Sequence, residues 1–468
     1  MSQTNDVYQV KPLKKAEKLG FLTFSTANNI VFSFKSSYYL FFLTDVLKIN
    51  VATAGLVIAI GTVWDAINDP LVGYMAVNHK FKNGEKCRPF ALWAAIPLAI
   101  TVVLLFTNFH LATNTAALIA LIIYLLFELM NTFISIPYNS MASLATDRDS
   151  DRRSINVYRN LGGCFGTMIG ALACFPLLKL FGAMDANHNL IDATSSSGFF
   201  KTALVMGIII IIGSLSHYFT TKERVKQIKD DESKLSFKTI TKMLVKNRNF
   251  IMNTLYIMCY SIATSLMLTD VVYYAKVVLG SSGATTMIQA VYLLASIIAS
   301  FLVSPIDKKL GRQKTMILGA IVLIVGKFWF LAQPTNVFAI YSVALTVGFG
   351  MTVAFVMFNT NRNTIVDLVE WKEGRRLDSM VSTVDNLAVK LMQALGLLGN
   401  SALLAVAGYN ANLVSQPSSV NNMITVLIGW IPLVFAILML VVCIYFPIEK
   451  DMKKMNEEKE LALKANNK

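Results

Sequence analysis

The apolar runs of this chain are too long and too numerous for a water-soluble fold. Ala91–Phe106, Ala116–Leu129, Val205–Leu215, Met316–Ile324 and Met423–Phe446 carry almost no charge. Inside a bilayer no water serves the backbone, so every N–H and C=O must be paired within a helix or a closed barrel. About 20 apolar residues cross the hydrocarbon as an α-helix. Composition points the same way: 55% of the 468 residues are hydrophobic and 15% are charged, against about 25% charged in soluble domains. The implied fold class is all-α, a polytopic membrane protein.

Twelve spans are predicted, roughly 20–46, 51–78, 89–108, 112–145, 155–181, 199–220, 249–279, 284–305, 314–332, 335–367, 380–408 and 422–446. Residues 1–19 are polar, and the first span is too long for a cleaved signal peptide. Basic residues gather in alternate loops: Lys11 to Lys18, Lys80 to Arg88, Arg148 to Arg153, Lys222 to Arg248, Lys308 to Lys314, and Lys372, Arg375 and Arg376. The positive-inside rule puts these loops and both termini in the cytoplasm of a cell-membrane protein. The long basic loop after span six divides the chain. The expected organisation is an N-terminal tail (1–19), a six-helix bundle (20–220), a linker (221–248), a second six-helix bundle (249–446) and a short tail (447–468). Phe237, Ile240, Met243 and Leu244 in the linker are spaced for an amphipathic surface helix. Leu43-Thr-Asp45 near the end of span one and Leu268-Thr-Asp270 in span seven form a weak internal echo, as in transporters built from repeats.

The net charge of +14 is spread over short loops with no basic-aromatic platform, which argues against nucleic acid as a partner. The five cysteines (Cys87, Cys164, Cys174, Cys259, Cys443) and four histidines (His79, His110, His188, His217) are scattered. No disulfide framework or zinc site is expected, and no cofactor. A nucleophile–base constellation and a Walker-type loop are both missing from the sequence, so neither an enzyme nor an ATP-driven pump is expected.

Charge within the spans is costly and therefore informative. In Trp64-Asp-Ala-Ile-Asn-Asp-Pro70 the helical period puts Asp65, Asn68 and Asp69 on one face. A carboxylate at the bilayer centre costs about 2.5–3.5 kcal/mol, and two together repel. A bound cation, or a proton on one carboxylate, relieves both costs; a structural salt bridge is the plainer alternative. Lys390 needs a partner, with Asp65, Asp69 and Asp385 as options. Arg159 reaches either a cavity or the headgroups. Lys35, Glu128, Asp270, Lys327 and Arg362 also interrupt apolar sequence.

Several patches together resemble the glycoside–pentoside–hexuronide:cation symporters, a branch of the major facilitator superfamily. They are Phe42-Leu-Thr-Asp-Val46, Trp64-Asp-Ala-Ile-Asn-Asp-Pro-Leu-Val-Gly73, Gly84-Glu-Lys-Cys-Arg-Pro-Phe90, Ile136-Pro-Tyr-Asn-Ser140 and Val366-Asp-Leu-Val-Glu-Trp-Lys-Glu-Gly-Arg375. The resemblance implies twelve transmembrane helices in two six-helix bundles and symport by alternating access. It implies a site for Na⁺ or H⁺, and for Li⁺ as a further candidate, made by Asp65, Asp69, Asn68 and Thr132, with the two aspartates as the ion's charged ligands. It also implies a sugar or glycoside site near Arg159 and Lys390; Tyr138 is, from the residues alone, an aromatic able to stack on a ring-shaped solute. At the positions of two family acids that hold sugar hydroxyls stand Asn29 and Ser135, and Asn28 replaces a basic residue. With those acids gone and the cations kept, a uronide or glucuronide is an alternative substrate. A sugar exchanger and, more remotely, a lysolipid symporter are alternative activities. Membrane lipid is the expected surrounding, and no oligomer is required.

Overall fold

The computed structural model describes residues 10–185, 191, 193–225, 237–279, 284–374, 377–409 and 416–466. Arg375, Arg376, His188 and residues 226–236 of the linker lie outside them. Among the described residues twelve long helices follow one another: α1 (Lys15–Phe41, continued by a π-helical stretch, Phe42–Val46), α2 (Val51–Asn78), α3 (Arg88–Leu105), α4 (Thr113–Ala145), α5 (Asp149–Leu180) and α6 (Ser195–Thr220). The second set is α7 (Arg248–Tyr273, continued by a π stretch, Tyr274–Val278), α8 (Ala284–Leu310), α9 (Arg312–Ala332), α10 (Val337–Glu373), α11 (Asp378–Val406) and α12 (Ser418–Tyr445, with a π stretch at Val426–Trp430). Among the described residues, ten helices are long and apolar enough to cross a membrane by length and composition. Large apolar side chains such as Val63, Trp93, Leu172 and Phe338 stand exposed, as a lipid-facing surface requires.

The helices begin and end close to the expected positions, with informative differences. α1 starts at Lys15, inside the stretch read as tail. α10 runs to Glu373, past the expected end at 367; Leu368, Val369 and Glu370 of this extension are buried, and Lys372 and Glu373 are exposed. The tail after α12 forms a helix, Ile448–Asn466, and the expected linker helix spans Phe237–Lys246 with Leu244 buried. The sequence echo is out of register. Asp45 lies inside the first π stretch, whereas Asp270 lies before the second. The two π stretches, not the Leu-Thr-Asp triplets, mark corresponding places in the two halves.

Each half has its own apolar core. Phe21, Phe34, Phe106, Met141 and Phe199 belong to the first. Tyr256, Phe330, Met351, Met357 and Cys443 belong to the second, which also takes in Val157 and Leu161 of α5. α1 packs on α5 and α6 in the first half, and α10 packs on α8 and α9 in the second. The close approach of α1 and α5 depends on Gly166, where an added Cβ would lie 2.4 Å from the Thr26 carbonyl oxygen. The halves meet through α2 with α11, α4 with α11, and α5 with α8 and α10.

At the end that carries both termini, polar bonds tie the halves together. Arg152 bonds Asp367, Arg153 pairs with Asp307, Arg312 bonds Asp149 and Ser143 bonds Asp378. Asn156 Nδ2 donates to Thr360 Oγ1 at 3.2 Å and Ser140 Oγ lies 3.1 Å from Ser382 Oγ. The polar run Asn359–Thr364 of α10 is buried in this seam. Buried polar groups are costly unless bonded, so a seam this rich in ion pairs is stable only while the halves touch there.

Candidate functional site

Asp65 and Asp69 of α2 meet Thr132 of α4 and Lys390 of α11 near the middle of the bundle. Lys390 Nζ donates to Asp65 Oδ2 at 2.6 Å and to Asp69 Oδ2 at 2.7 Å. Thr132 Oγ1 lies 3.4 Å from Asp65 Oδ1, 3.3 Å from Asp69 Oδ1 and 3.0 Å from the Glu128 carbonyl oxygen. Its single proton serves one of these acceptors at a time, which leaves hydroxyl lone pairs facing the carboxylates. Asp69, Asn68 and Thr132 are buried, while the Lys390 side chain is 30% exposed. Asn68 is fully buried, and neither its amide oxygen nor its amide nitrogen has a hydrogen-bond partner. Buried side-chain amides are rarely left unpaired. The three residues share a face because Asp65, Asn68 and Asp69 are three and four apart in a continuous helix, which Pro70 does not interrupt.

A second ion pair stands beside this group. Lys35 Nζ of α1 lies 2.6 Å from Glu128 Oε1, one helical turn from Thr132 on α4. The rings of Phe32, Tyr124 and Phe127 surround the same ammonium at 5.3, 5.1 and 4.9 Å.

Above the seam, a cavity of about 390 Å³ lies between the halves. α1 and α5 contribute Ser25, Asn29, Arg159 and Asn160 to its wall. The second half contributes Tyr260, Gln289, Tyr292, Ser296, Thr352 and Phe355. Asn29 Nδ2 donates to the Ser25 carbonyl at 2.8 Å, so its amide oxygen stays open as an acceptor. Arg159 bonds Asn139, lies with its guanidinium 4.8 Å from the Tyr138 ring centroid, and has no partner at Nε. The described lining residues include this guanidinium and no carboxylate.

Of the residues expected at a sugar site, Asn29 and Arg159 line the cavity, whereas Asn28, Ser135, Tyr138 and Lys390 do not. Tyr138 is a core residue beneath Arg159: its hydroxyl donates to the Phe21 carbonyl at 2.7 Å and its ring packs on Phe24 and His217. Lys390 turns to the aspartates instead. Asp385 accepts from Thr254 at 3.3 Å, and Arg362 donates to the Asn139 carbonyl at 3.1 Å. Lys327 donates to the Ile428 carbonyl at 2.7 Å, an interhelical tie. The second-half wall of the cavity escaped the sequence reading. Gln289 was the signal available, a polar residue in an otherwise apolar stretch.

Comparison with known proteins fits this architecture. A family profile described as MFS/sugar transport protein matches residues 20–450. The isoprimeverose transporter of Lactiplantibacillus pentosus is 27% identical, over 94% of this chain and 90% of that protein. A putative glycoside/cation symporter of Escherichia coli (strain K12) is 25% identical, over 90% and 89%. Among solved structures, a major facilitator superfamily transporter, FucP, in the outward conformation superposes with a TM-score of 0.67 over 91% of this chain and 97% of that one. At 11% identity that likeness speaks for the fold alone. The chain belongs to the MFS/sugar transport protein family: it is a multi-pass membrane transporter, not an enzyme.

Proposed function

We propose that this transporter carries a sugar or glycoside in symport with a monovalent cation, Na⁺, Li⁺ or H⁺, held at Asp65, Asp69, Asn68 and Thr132. The observation that carries the reading is the state of the α2 face. Two carboxylates already share one ammonium, next to a buried amide with no partner. Oxygen donors of this kind suit a hard cation. An arriving cation takes the place of the Lys390 ammonium and uses the Asn68 oxygen and the Thr132 hydroxyl that the ammonium leaves unused. Because Lys390 belongs to the second half and the aspartates to the first, its release loosens one tie between the halves. Sugar then binds in the cavity at Asn29 and Arg159 and against the aromatic wall of α7, α8 and α10. The seam parts, the halves rock, and both solutes leave on the side of the termini, taken here as the cytoplasm because the basic loops lie there. Lipid surrounds a single chain, and no second copy is needed for the site.

The test is uptake by proteoliposomes of the purified chain, with a panel of glycosides under Na⁺, Li⁺ and H⁺ gradients. Asp65→Asn and Asp69→Asn should each abolish stimulation by the coupling cation while the protein still reaches the membrane. Retained stimulation in both variants refutes the site. Counterflow that persists in those variants without any ion gradient identifies an exchanger, and binding of lysophospholipid in place of glycosides identifies a lipid carrier. One observation favours a narrower reading, an anionic glycoside such as a glucuronide: an Arg159 Nε without a partner in a cavity whose described lining has no acid. Uptake of a neutral xyloside with exclusion of uronides rejects it.

A further inference from the structure

The Lys35–Glu128 pair sits beside the proposed cation site, and no step of the transport cycle above uses it. Glu128 and Thr132 are four apart on α4 and so lie on one face. The Thr132 hydroxyl lies within reach of the Glu128 carbonyl oxygen and of both aspartates, and donates to one of them at a time. Glu128 is buried, and its side chain is 5% exposed. The charged groups facing one another here are Asp65 and Asp69 from α2, Glu128 from α4, Lys35 from α1 and Lys390 from α11, with the Tyr124 phenol 3.5 Å from Lys35. Among the described residues, three carboxylates thus face two ammoniums. With Lys390 in place one negative charge is left over; once the cation has displaced Lys390 from the aspartates, Lys35 and Glu128 cancel each other and the cation faces the two aspartates.

The two ammoniums are held differently. Lys390 reaches across the interface between halves and is partly exposed. Lys35 stays within the first half, its side chain is 12% exposed, and three aromatic faces add cation–π attraction. Lys390 can leave when the halves move, and Lys35 stays.

We propose that the Lys35–Glu128 ion pair is the fixed charge setting of the coupling site, a pair of specificity-determining residues that holds the site to one monovalent cation per cycle. Glu128 draws the cation in, and Lys35 cancels enough of that pull to keep the site from taking a second cation or a divalent one. This inference rests on the reading of Asp65 and Asp69 as the cation site.

The experiment titrates the purified full-length chain with Na⁺ and Li⁺ in a choline background, and separately with H⁺, reading the thermal unfolding midpoint. No sugar is needed. The variants are Lys35→Met, Glu128→Gln and the double K35M/E128Q, each close in shape to the original. A unit charge about 8 Å away, acting through an effective dielectric of about 20, changes binding roughly ten- to thirtyfold. Lys35→Met should tighten the cation by about tenfold or more, and should admit Ca²⁺ or a second Na⁺. Glu128→Gln should weaken it by about tenfold or more. The double variant, with the pair removed as a neutral unit, should bind within about threefold of the unaltered chain. A purely structural role predicts that both single variants weaken binding and that the double does no better; that result overturns the proposal. If one single variant fails to reach the membrane, the other and the double still decide, since return to unaltered affinity in the double is required. Loss of binding in Asp65→Asn and Asp69→Asn together with same-direction effects at Lys35 and Glu128 overturns only the charge-setting role. Cation binding that survives in both aspartate variants overturns the site itself.

Discussion

Replacing Lys390 by methionine keeps a long flexible side chain and removes only the ammonium. That ammonium lies 2.6 Å from Asp65 Oδ2 and 2.7 Å from Asp69 Oδ2. At an effective dielectric of about 20, each attraction is worth about 6 kcal/mol before costs. Withdrawing an ammonium from water returns several kcal/mol of this. The side chain is also 30% exposed, so solvent screens part of the rest. A net hold of about 2–3 kcal/mol remains, and an incoming cation must overcome it. Lys390→Met should therefore tighten cation binding by roughly thirty- to a hundred-and-fifty-fold. Isothermal titration of the purified chain with NaCl, at constant ionic strength in choline, measures this directly. The same variant should unfold at a lower temperature without cation, because two carboxylates then face each other uncompensated, and recover when cation is added. If affinity stays the same or falls, Lys390 is not the cation's competitor, and the reasoning from its position fails.

Three further outcomes follow from the packing. Arg152→Gln removes a buried partner of Asp367 in the seam, and breaking such a pair costs about 3–5 kcal/mol. The halves should part more often at the terminal end, and Cys87, buried with its thiol 3.6 Å from Ser379 Oγ, should react faster with a maleimide. Gly166→Val should lower stability by about 1–3 kcal/mol in thermal unfolding. It should also weaken substrate binding, because the new side chain would press on Asn29, whose Cβ is 2.6 Å from the added atom. Arg159→Lys should fold normally yet raise the half-saturating substrate concentration about tenfold or more, since lysine cannot hold Asn139 and stack on Tyr138 while presenting a free Nε.

The helices were legible because lipid leaves the backbone only helices or a closed barrel, the apolar runs have the length of spanning helices, and the spacing of basic loops shows how often the chain crosses. The carboxylates of α2 were legible for a related reason: charge in an apolar stretch has no neutral explanation, and Asp65, Asn68 and Asp69 needed only helical period to share a face. Lys390 could be assigned a need for a partner but not the partner itself, because Asp65 and Asp385 are equally plausible until α2 and α11 are in contact. Arg152, Arg153 and Arg312 read locally as positive-inside loop charges. Their second role, bonding Asp367, Asp307 and Asp149 across the halves, depends on how two bundles dock, and no local period records that. The Tyr260, Tyr292 and Phe355 wall stayed hidden for the same reason. An aromatic facing a cavity and one facing lipid look alike in sequence.

Lys390 makes the tie between the halves at mid-depth a charged one, so membrane voltage acts on the cycle at that point. Moving a unit charge through the full membrane field is worth about 2.3 kcal/mol per 100 mV. With Lys390 displaced from the aspartates but still within the membrane, the empty transporter carries one net negative charge at this depth and the loaded one carries none. An inside-negative potential then drives the unloaded protein back to face outward and leaves the loaded crossing nearly indifferent. Voltage would set how fast the transporter resets, and hence its maximal rate, more than how tightly it grips its sugar.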